Sequence, residues 1–580
     1  MTRSQKLELT WVGKDDRPRL EPRILIEDPA LSYHAAARVT ANDRFDNLLI
    51  QGDNLLALKA LEQEYAGKVK CVFIDPPYNT GSAFEHYDDG VEHSLWLSMM
   101  RDRIDVLYRL LAGDGILFVT IDANELFYLG ALLDEHFGRR NRIEVATWKK
   151  SYGGGAKSRF FVNQHEYALC YAKDIARLSP FLLPPDPKVL KYYKYQDEYF
   201  HVRGPYRLQP LATNSMDRRP NLRYRIVSDD GEDIWPEKQW QWNAERVTAA
   251  RARGEIVIVK KSGKWSVNYK QYLKDQAGEE RGAKPVSVID GHYTQHGTNE
   301  SVALFGQDNK FSFPKPEGLV AYLIGCCTSP GDLVLDSFLG SGTTAAVAHK
   351  MGRRWIGIEL GDHAVTHCVP RLRKVIDGAD PGGVTAQSNW KGGGGFRFLR
   401  LAPSLLERDH WGNWVVSREY NATMLAEAVC KLHGFRYEPN PQVFWQHGRS
   451  TERDYLYVTT QTLDARQLEW LNESVGPDRS LLVLCRAWLG SAEAWPNLSL
   501  KKLPNAVLGR CEFGRDDYSL RIAALPDAPV SAADDTESTK AQPEESGAPG
   551  QAQSRKAKAK ATKRGAQSDP QTDLLAEGDA

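Results

Sequence analysis

The chain has 580 residues, room for about two to four domains, and its 42% hydrophobic and 26% charged content is ordinary for a soluble globular protein. Its 75 Lys/Arg are matched by 75 Asp/Glu, so the average charge by itself suggests no polyanionic partner. No apolar run nears the roughly 18 residues of a membrane helix, no secretory h-region opens the chain, and the eight scattered cysteines include no Cys-x-x-Cys; the expectation is a cytoplasmic protein with neither a disulfide framework nor a cysteine zinc site.

Residues 1–46 read as an N-terminal arm. Beyond it the pattern predicts strand 47–51 (NLLIQ), helix 54–65, strand 69–74, helix 93–112, strand 115–121, helix 123–137 and strands 143–148 and 166–172. Strands alternating with helices of this length imply an α/β class with a mostly parallel, doubly wound sheet. The rhythm lapses over 181–300 and returns with helix 317–327, strand 332–336, a Gly-rich turn, helix 343–351 and strand 353–360. One α/β domain, with halves at 47–180 and 301–378 around an insertion, accounts for both stretches. Two separate domains fit less well, because the second stretch has only two clear strands. Residues 379–396 read as a linker whose WKGGGGF run is a hinge or turn. Residues 397–525 read as a C-terminal α+β domain with no chemical motif. The tail 526–580 has no aromatic residue and is expected to be disordered. Its RKAKAKATKR run (555–564) suits either a loose polyanion contact or simple solubility.

Two turns carry chemistry. The strand 69–74 ends abruptly in Asp75-Pro76-Pro77-Tyr78, where prolines stop the strand, remove two backbone donors and stiffen the turn. At the carboxyl end of a parallel strand such residues point into the crevice where α/β sheets bind ligands. A nucleobase amino group is a poor nucleophile, because its lone pair is conjugated into the ring. The Asp75 carboxylate and the Pro76 carbonyl can each accept one of its N–H bonds, pressing the nitrogen toward tetrahedral geometry while Tyr78 stacks on the base. The second turn is Asp336-Ser337-Phe338-Leu339-Gly340-Ser341-Gly342-Thr343. Its glycines let backbone approach a bound cofactor ahead of a helix N-terminus. Glu359 ends the next strand, 17 residues after Gly342, and can accept both hydroxyl protons of a ribose. Alone, this loop also fits a G-x-G-x-x-A dinucleotide fingerprint (Gly340, Gly342, Ala345) or a plain structural turn.

Together the two motifs resemble the signature pair of S-adenosylmethionine-dependent amino-group DNA methyltransferases. Their order resembles the circularly permuted beta class: catalytic motif, long insertion, cofactor motif. Gln51-Gly52-Asp53-Asn54 matches the place where that class carries an acid near the cofactor adenine. Phe313-Pro314-Lys315-Pro316 resembles its Pro-x-Lys-Pro-like segment near the methionine part, departing from the commoner histidine-led form. LTWVGKDDRPRLEPRIL (9–25), HEYALCYAK (165–173) and GGGFRFLRLAPSLL (393–406) resemble the methylation (modification) subunit of type III restriction–modification systems, over roughly 1–525. The resemblance implies a permuted Rossmann-like methyltransferase sheet with an inserted target-recognition domain. It implies catalytic roles for Asp75, Pro76, Pro77 and Tyr78. Cofactor contacts fall to Asp53, Lys315, Asp336, Phe338, Gly340, Ser341, Gly342, Thr343 and Glu359. It further implies S-adenosylmethionine as cofactor, double-stranded DNA as substrate, a homodimer, and no metal. This sequence has no G-x-x-x-x-G-K-[ST] loop, so any ATP-driven step belongs to a separate helicase–nuclease subunit. The DPPY spelling favours adenine N6, since relatives acting on cytosine N4 more often begin with serine. Cytosine N4 and a stand-alone adenine enzyme remain as alternatives, and a non-catalytic DNA-specificity subunit as a more distant one.

The insertion falls where the beta class carries its target-recognition domain. Within it, 201–284 holds 17 Lys/Arg against 11 Asp/Glu, interleaved with aromatics. The stripes RPNLRYR (219–225) and ARARGEIVIVKKSGKW (250–265) nominate Arg219, Arg223, Arg251, Arg253, Lys260 and Lys261 as DNA contacts. Solvated basic residues over an ordinary core are the plain alternative. His165 reads as either a structural histidine or a pocket wall, and Trp411 and Trp414 read as core. A nicotinamide-dependent oxidoreductase would leave DPPY unexplained.

Overall fold

In the computed structural model the described residues are 8–519, apart from 42, 80–92, 154–158, 186, 215–216, 218, 262 and 280. The tail and its basic run therefore lie outside the described residues. The main element is an 11-stranded sheet. In chain order it and its helices are β1 (Leu25–Glu27), β2 (Tyr33–His34), β3 (Asn47–Gln51), α1 (Asn54–Tyr65), β4 (Val69–Ile74), α2 (His93–Leu110), β5 (Leu111–Ile121), α3 (Leu126–Leu133), β6 (Arg142–Lys149) and β7 (His165–Ala172). After the insertion come β8 (Val288–Ile289), α4 (Thr294–Phe305), α5 (Glu317–Gly325), β9 (Leu333–Asp336), α6 (Thr343–Lys350), β10 (Arg354–Glu359), α7 (Val369–Ile376) and β11 (Gly395–Leu401).

The spatial order is β1-β11-β3-β10-β9-β4-β5-β7-β6-β8, with β2 also on β11. From β11 to β5 every pair is parallel, whereas β7 runs antiparallel to both β5 and β6. The central strands are apolar throughout because helices cover both faces. Along β4, Val72 and Ile74 join one cluster with α1, α2 and α3, while Cys71 and Phe73 join the other with α5, α6 and α7. The parallel arrangement brings the ends of β3, β10, β9 and β4 to one edge, where Glu359 and Asp336 close β10 and β9 and Asp53 and Asp75 come just after β3 and β4. Antiparallel β7 contributes its beginning, His165 and Glu166, to the same edge.

Two boundaries differ from the expectation. The chain returns to the main sheet before residue 300: Val288 and Ile289 pair in parallel with Thr147 and Trp148. The glycine run is no hinge. It leads into β11, which lies between β1 and β3 and buries Phe396 and Phe398 at 0% exposure while Arg397 points outward. A Cβ on Gly393 would lie 2.5 Å from the Asp43 carboxylate, and one on Gly394 would lie 2.6 Å from the Arg44 carbonyl, so close packing demands these glycines. Within the insertion, strands 206–210, 256–261 and 264–272 form a separate sheet over a cluster around Leu211, Trp240 and Val267. Beyond β11 a five-stranded sheet carries its own two apolar clusters. There Trp411 departs from the core reading: it is 74% exposed and lies against the His410 ring between strands 406–408 and 414–416.

Candidate active site

The turn after β4 is braced from below: the Trp96 indole N–H donates to the Pro77 carbonyl at 2.8 Å, and Trp96 is fully buried in α2. Asn79 follows in the left-handed region (φ 57°) and donates through Nδ2 to the buried Glu125 carboxylate at 2.7 Å. Polar donors converge on Asp75. Its Oδ1 accepts from the Thr120 hydroxyl at 2.6 Å and lies 2.9 Å from the Tyr78 hydroxyl, while its Oδ2 lies 2.8 Å from Lys315 Nζ.

Lys315 reaches Asp75 from a rigid turn. Phe313 adopts φ 55°, unusual for a side-chain-bearing residue, and Pro314 and Pro316 flank the lysine. Gly297 in α4 lets the helix press on this turn, since a Cβ there would fall 2.3 Å from the Pro314 carbonyl. The ammonium lies 4.8 Å from the centre of the Tyr78 ring and 3.7 Å from a second carboxylate, Glu166. Glu166 is 7% exposed; its Oε1 accepts from Lys150 Nζ at 2.9 Å, and its Oε2 lies 3.1 Å from the Tyr78 hydroxyl. Burial alone would raise the Glu166 pKa, but Lys315 and Lys150 outweigh it and hold the carboxylate below its usual range. Burial would lower Lys315, yet Asp75 and Glu166 together raise it. The Tyr78 phenol is pushed well upward by burial and by the same two carboxylates, so it stays a neutral donor.

The second turn begins at the end of β9, on the strand next to β4, with Leu335 opposite Val72. Gly340 and Gly342 have φ 55° and 81°, conformations that a side chain would strain. The Gly340 amide donates to Glu359 Oε2 at 2.7 Å, and the Gly361 amide to Oε1 at 3.1 Å. Asp336 is buried, which pushes its pKa up to about 7 against hydrogen bonds from Thr344 and the Phe338 amide. Ser337 Oγ is buried with no hydrogen-bond partner. A glycine backbone, two buried carboxyls and an unpartnered hydroxyl make a donor set suited to a ligand bearing hydroxyls and positive charge.

Other nominated residues have different surroundings. Asp53 caps α1 by accepting from the Leu56 amide, and its Oδ2 takes the Tyr518 amide at 2.9 Å and lies 3.4 Å from Arg103. Phe338 packs into the α1–α2 cluster. The Thr343 hydroxyl accepts from Arg371 at 2.8 Å, and Ser341 Oγ lies 3.3 Å from the same guanidinium. In the insertion, Arg251 pairs with Asp229 at 2.6 Å, Arg253 with Glu255 at 2.9 Å and Lys260 with Glu232 at 2.8 Å. These cations are thus partnered within their own segment, though the Arg251–Asp229 and Lys260–Glu232 pairs are exposed and screened by solvent. Arg219 and Arg223 are exposed and make no ion pair among the described residues. The Lys261 side chain lies outside what is described. Lys315 contacts the DPPY turn rather than standing apart from it. His165 is exposed and bonds Tyr167 across its own strand at 2.9 Å.

Sequence reasoning missed Glu166, Lys150, Thr120 and Arg371. Glu166 did leave a signal: along β7 it shares a face with Ala168 and Cys170, so an acid begins an otherwise apolar row.

Residues 69–369 match a family model described as DNA methylase. The chain is 32% identical over 417 residues to the probable type III restriction-modification enzyme HindVI Mod subunit of Haemophilus influenzae, covering 62% of this chain and 54% of that one. It is 31% identical to the EcoPI Mod subunit of Escherichia phage P1 (60% and 61% covered) and 30% identical to the type II methyltransferase M.EcaI of Enterobacter cloacae (54% and 66% covered). The matches thus span between half and two thirds of these relatives.

Proposed function

The chain belongs to the DNA methylase family, and from that premise we propose that it is a site-specific DNA methyltransferase that modifies adenine N6, acting as the modification subunit of a type III-like restriction–modification system. The observation that carries this reading is the adjacency of two turns: Asp75 follows β4 and Asp336 closes the neighbouring parallel strand β9, at one sheet edge. The donor set around Gly340 fits S-adenosylmethionine, with Asp336, Ser337, Gly340, Gly342 and Glu359 as the residues that would hold it. When bound, that cofactor supplies a methyl group on a positively charged sulfur.

The chain's own residues do the rest. The target base leaves the duplex at a cost of a few kcal/mol and enters the space over Tyr78. The Asp75 carboxylate and the Pro76 carbonyl accept its two N–H bonds and orient the nitrogen lone pair. As the nitrogen becomes positively charged, Asp75 stabilises that charge and can accept the proton that must leave. The Trp96 bond to Pro77 keeps the acceptors in place, so little reorganisation accompanies the reaction. The aspartate that opens the motif favours adenine over cytosine. The insertion, through Arg219 and Arg223 first, supplies phosphate contacts. A dimer and a separate helicase–nuclease subunit complete the proposed system.

The test is expression in a methylation-free bacterial host, followed by modified-base sequencing of the host genome. N6-methyladenine at every copy of one short motif is the expected result. N4-methylcytosine would replace adenine as the target, and an unmodified genome would overturn the reading.

A further inference from the structure

We propose that in the free protein the Lys315 ammonium holds the place of the target amino group, and that Glu166 is the carboxylate to which it moves when a base enters. The inference rests on the proposed function and adds two positioning residues to it. An amino group being readied for methylation must donate to Asp75 and lie against Tyr78. The Lys315 ammonium already does both, at 2.8 Å from Asp75 Oδ2 and 4.8 Å from the centre of the Tyr78 ring. Base and ammonium therefore compete for one acceptor.

A largely buried ammonium, 13% exposed, is not simply expelled, because an unpaired charge at the edge of a protein interior is costly. Glu166 gives it a second partner at 3.7 Å, close enough for a side-chain rotation to exchange one carboxylate for the other. The two prolines and the Gly297 contact fix the backbone, so the movement is confined to the lysine side chain. Lys150 occupies the other Glu166 oxygen and keeps the carboxylate ionised for its second partner. The exchange also has an electrostatic use. An ammonium left on Asp75 would repel the positive charge that develops on the substrate nitrogen, and on Glu166 it lies further away. Only a base with a hydrogen-bond-donating amino group can replace the ammonium on Asp75, which builds a chemical filter into the pocket.

The test compares full-length wild type, Glu166→Gln, Lys315→Gln and the double variant on a duplex carrying the motif found by genome sequencing. KM, kcat and the duplex dissociation constant are all measured. Glu166→Gln leaves the ammonium on Asp75, so KM and the dissociation constant rise about tenfold. Adding Lys315→Gln removes the competitor and returns both to within about threefold of wild type. If the double variant binds as poorly as Glu166→Gln or worse, or if Glu166→Gln alone changes neither constant, the proposal is overturned. Should Lys315→Gln fail to fold, Lys315→Arg decides. A guanidinium grips a carboxylate with two parallel hydrogen bonds, so KM rises about tenfold, and an unchanged KM overturns the proposal. A wild type that methylates no DNA overturns the proposed function itself, and that outcome is distinguishable from a failure confined to the variants.

Discussion

Asp75 is held by three donors from three different segments: Thr120 on β5, Tyr78 in its own turn and Lys315 from the turn before α5. That convergence argues for a carboxylate that works as an acceptor rather than as a structural cap. Asp75→Asn replaces one acceptor oxygen with a donor that repels the substrate N–H. We expect kcat for methyl transfer to fall by about 10³-fold or more, while S-adenosylmethionine affinity stays within about threefold; single-turnover kinetics and calorimetry check the two halves. Asp336 gives a pH prediction. Its pKa is pushed up to about 7, so the carboxyl is neutral below that pH and ionised above it. A cationic cofactor favours the ionised form. Its affinity should therefore rise from pH 6 to 8 and level off above, and Asp336→Asn should flatten the curve in calorimetric titrations. Asp75 was legible because a single acid closes an apolar run before two prolines. Glu166 showed only as an acid opening an apolar row; its pairing did not, because Lys150 and Lys315 come from 16 residues before it and about 150 residues after it, and only the fold brings them together.

Among the elements, α5, α6 and α7 are tied by a buried charge network that holds the glycine turn. Glu317 at the start of α5 accepts from Lys350 at the end of α6, at 2.9 Å, and from Arg371 in α7, at 2.8 Å. Lys350 lies 2.7 Å from Asp380 as well, and Arg371 continues to Ser341 and Thr343. Burial would raise Glu317, but Arg371 and Lys350 outweigh it and keep the carboxylate low. Lys350→Met strips Glu317 and Asp380 of a partner in a site where Lys350 is only 2% exposed. The expected loss is about 3–5 kcal/mol, read by urea unfolding, and a loss below about 1 kcal/mol would contradict the network's role. The strands beside this network were readable as apolar runs, since helices cover both faces. β11 was not. Four consecutive glycines resemble a flexible turn by composition, and only the approach of Asp43 and Arg44 reveals that they are packed.

At the scale of the whole chain, the two ends of the described sequence are tied to each other and to the core beside the main sheet. Arg23, 1% exposed, donates to the Ala402 carbonyl at 2.8 Å and the Arg515 carbonyl at 3.0 Å, and pairs with Glu21. Glu21 in turn accepts from the Leu405 amide at 2.7 Å. Tyr518 packs in the α1–α2 cluster, with its amide on Asp53. A cut at the glycine run therefore does not separate domains. It removes β11 from between β1 and β3 and leaves the β3 edge unpaired, with Ile50 in the apolar cluster on one face of the sheet and Leu49 in the cluster on the other. A chain ending at residue 396 should show no cooperative thermal transition and fast hydrogen exchange in β3. A chain ending at residue 519 keeps every contact named here and should melt in one transition near the full-length temperature. If the shorter chain melts cooperatively at the full-length temperature, β11 is dispensable and the boundary belongs at the glycines after all.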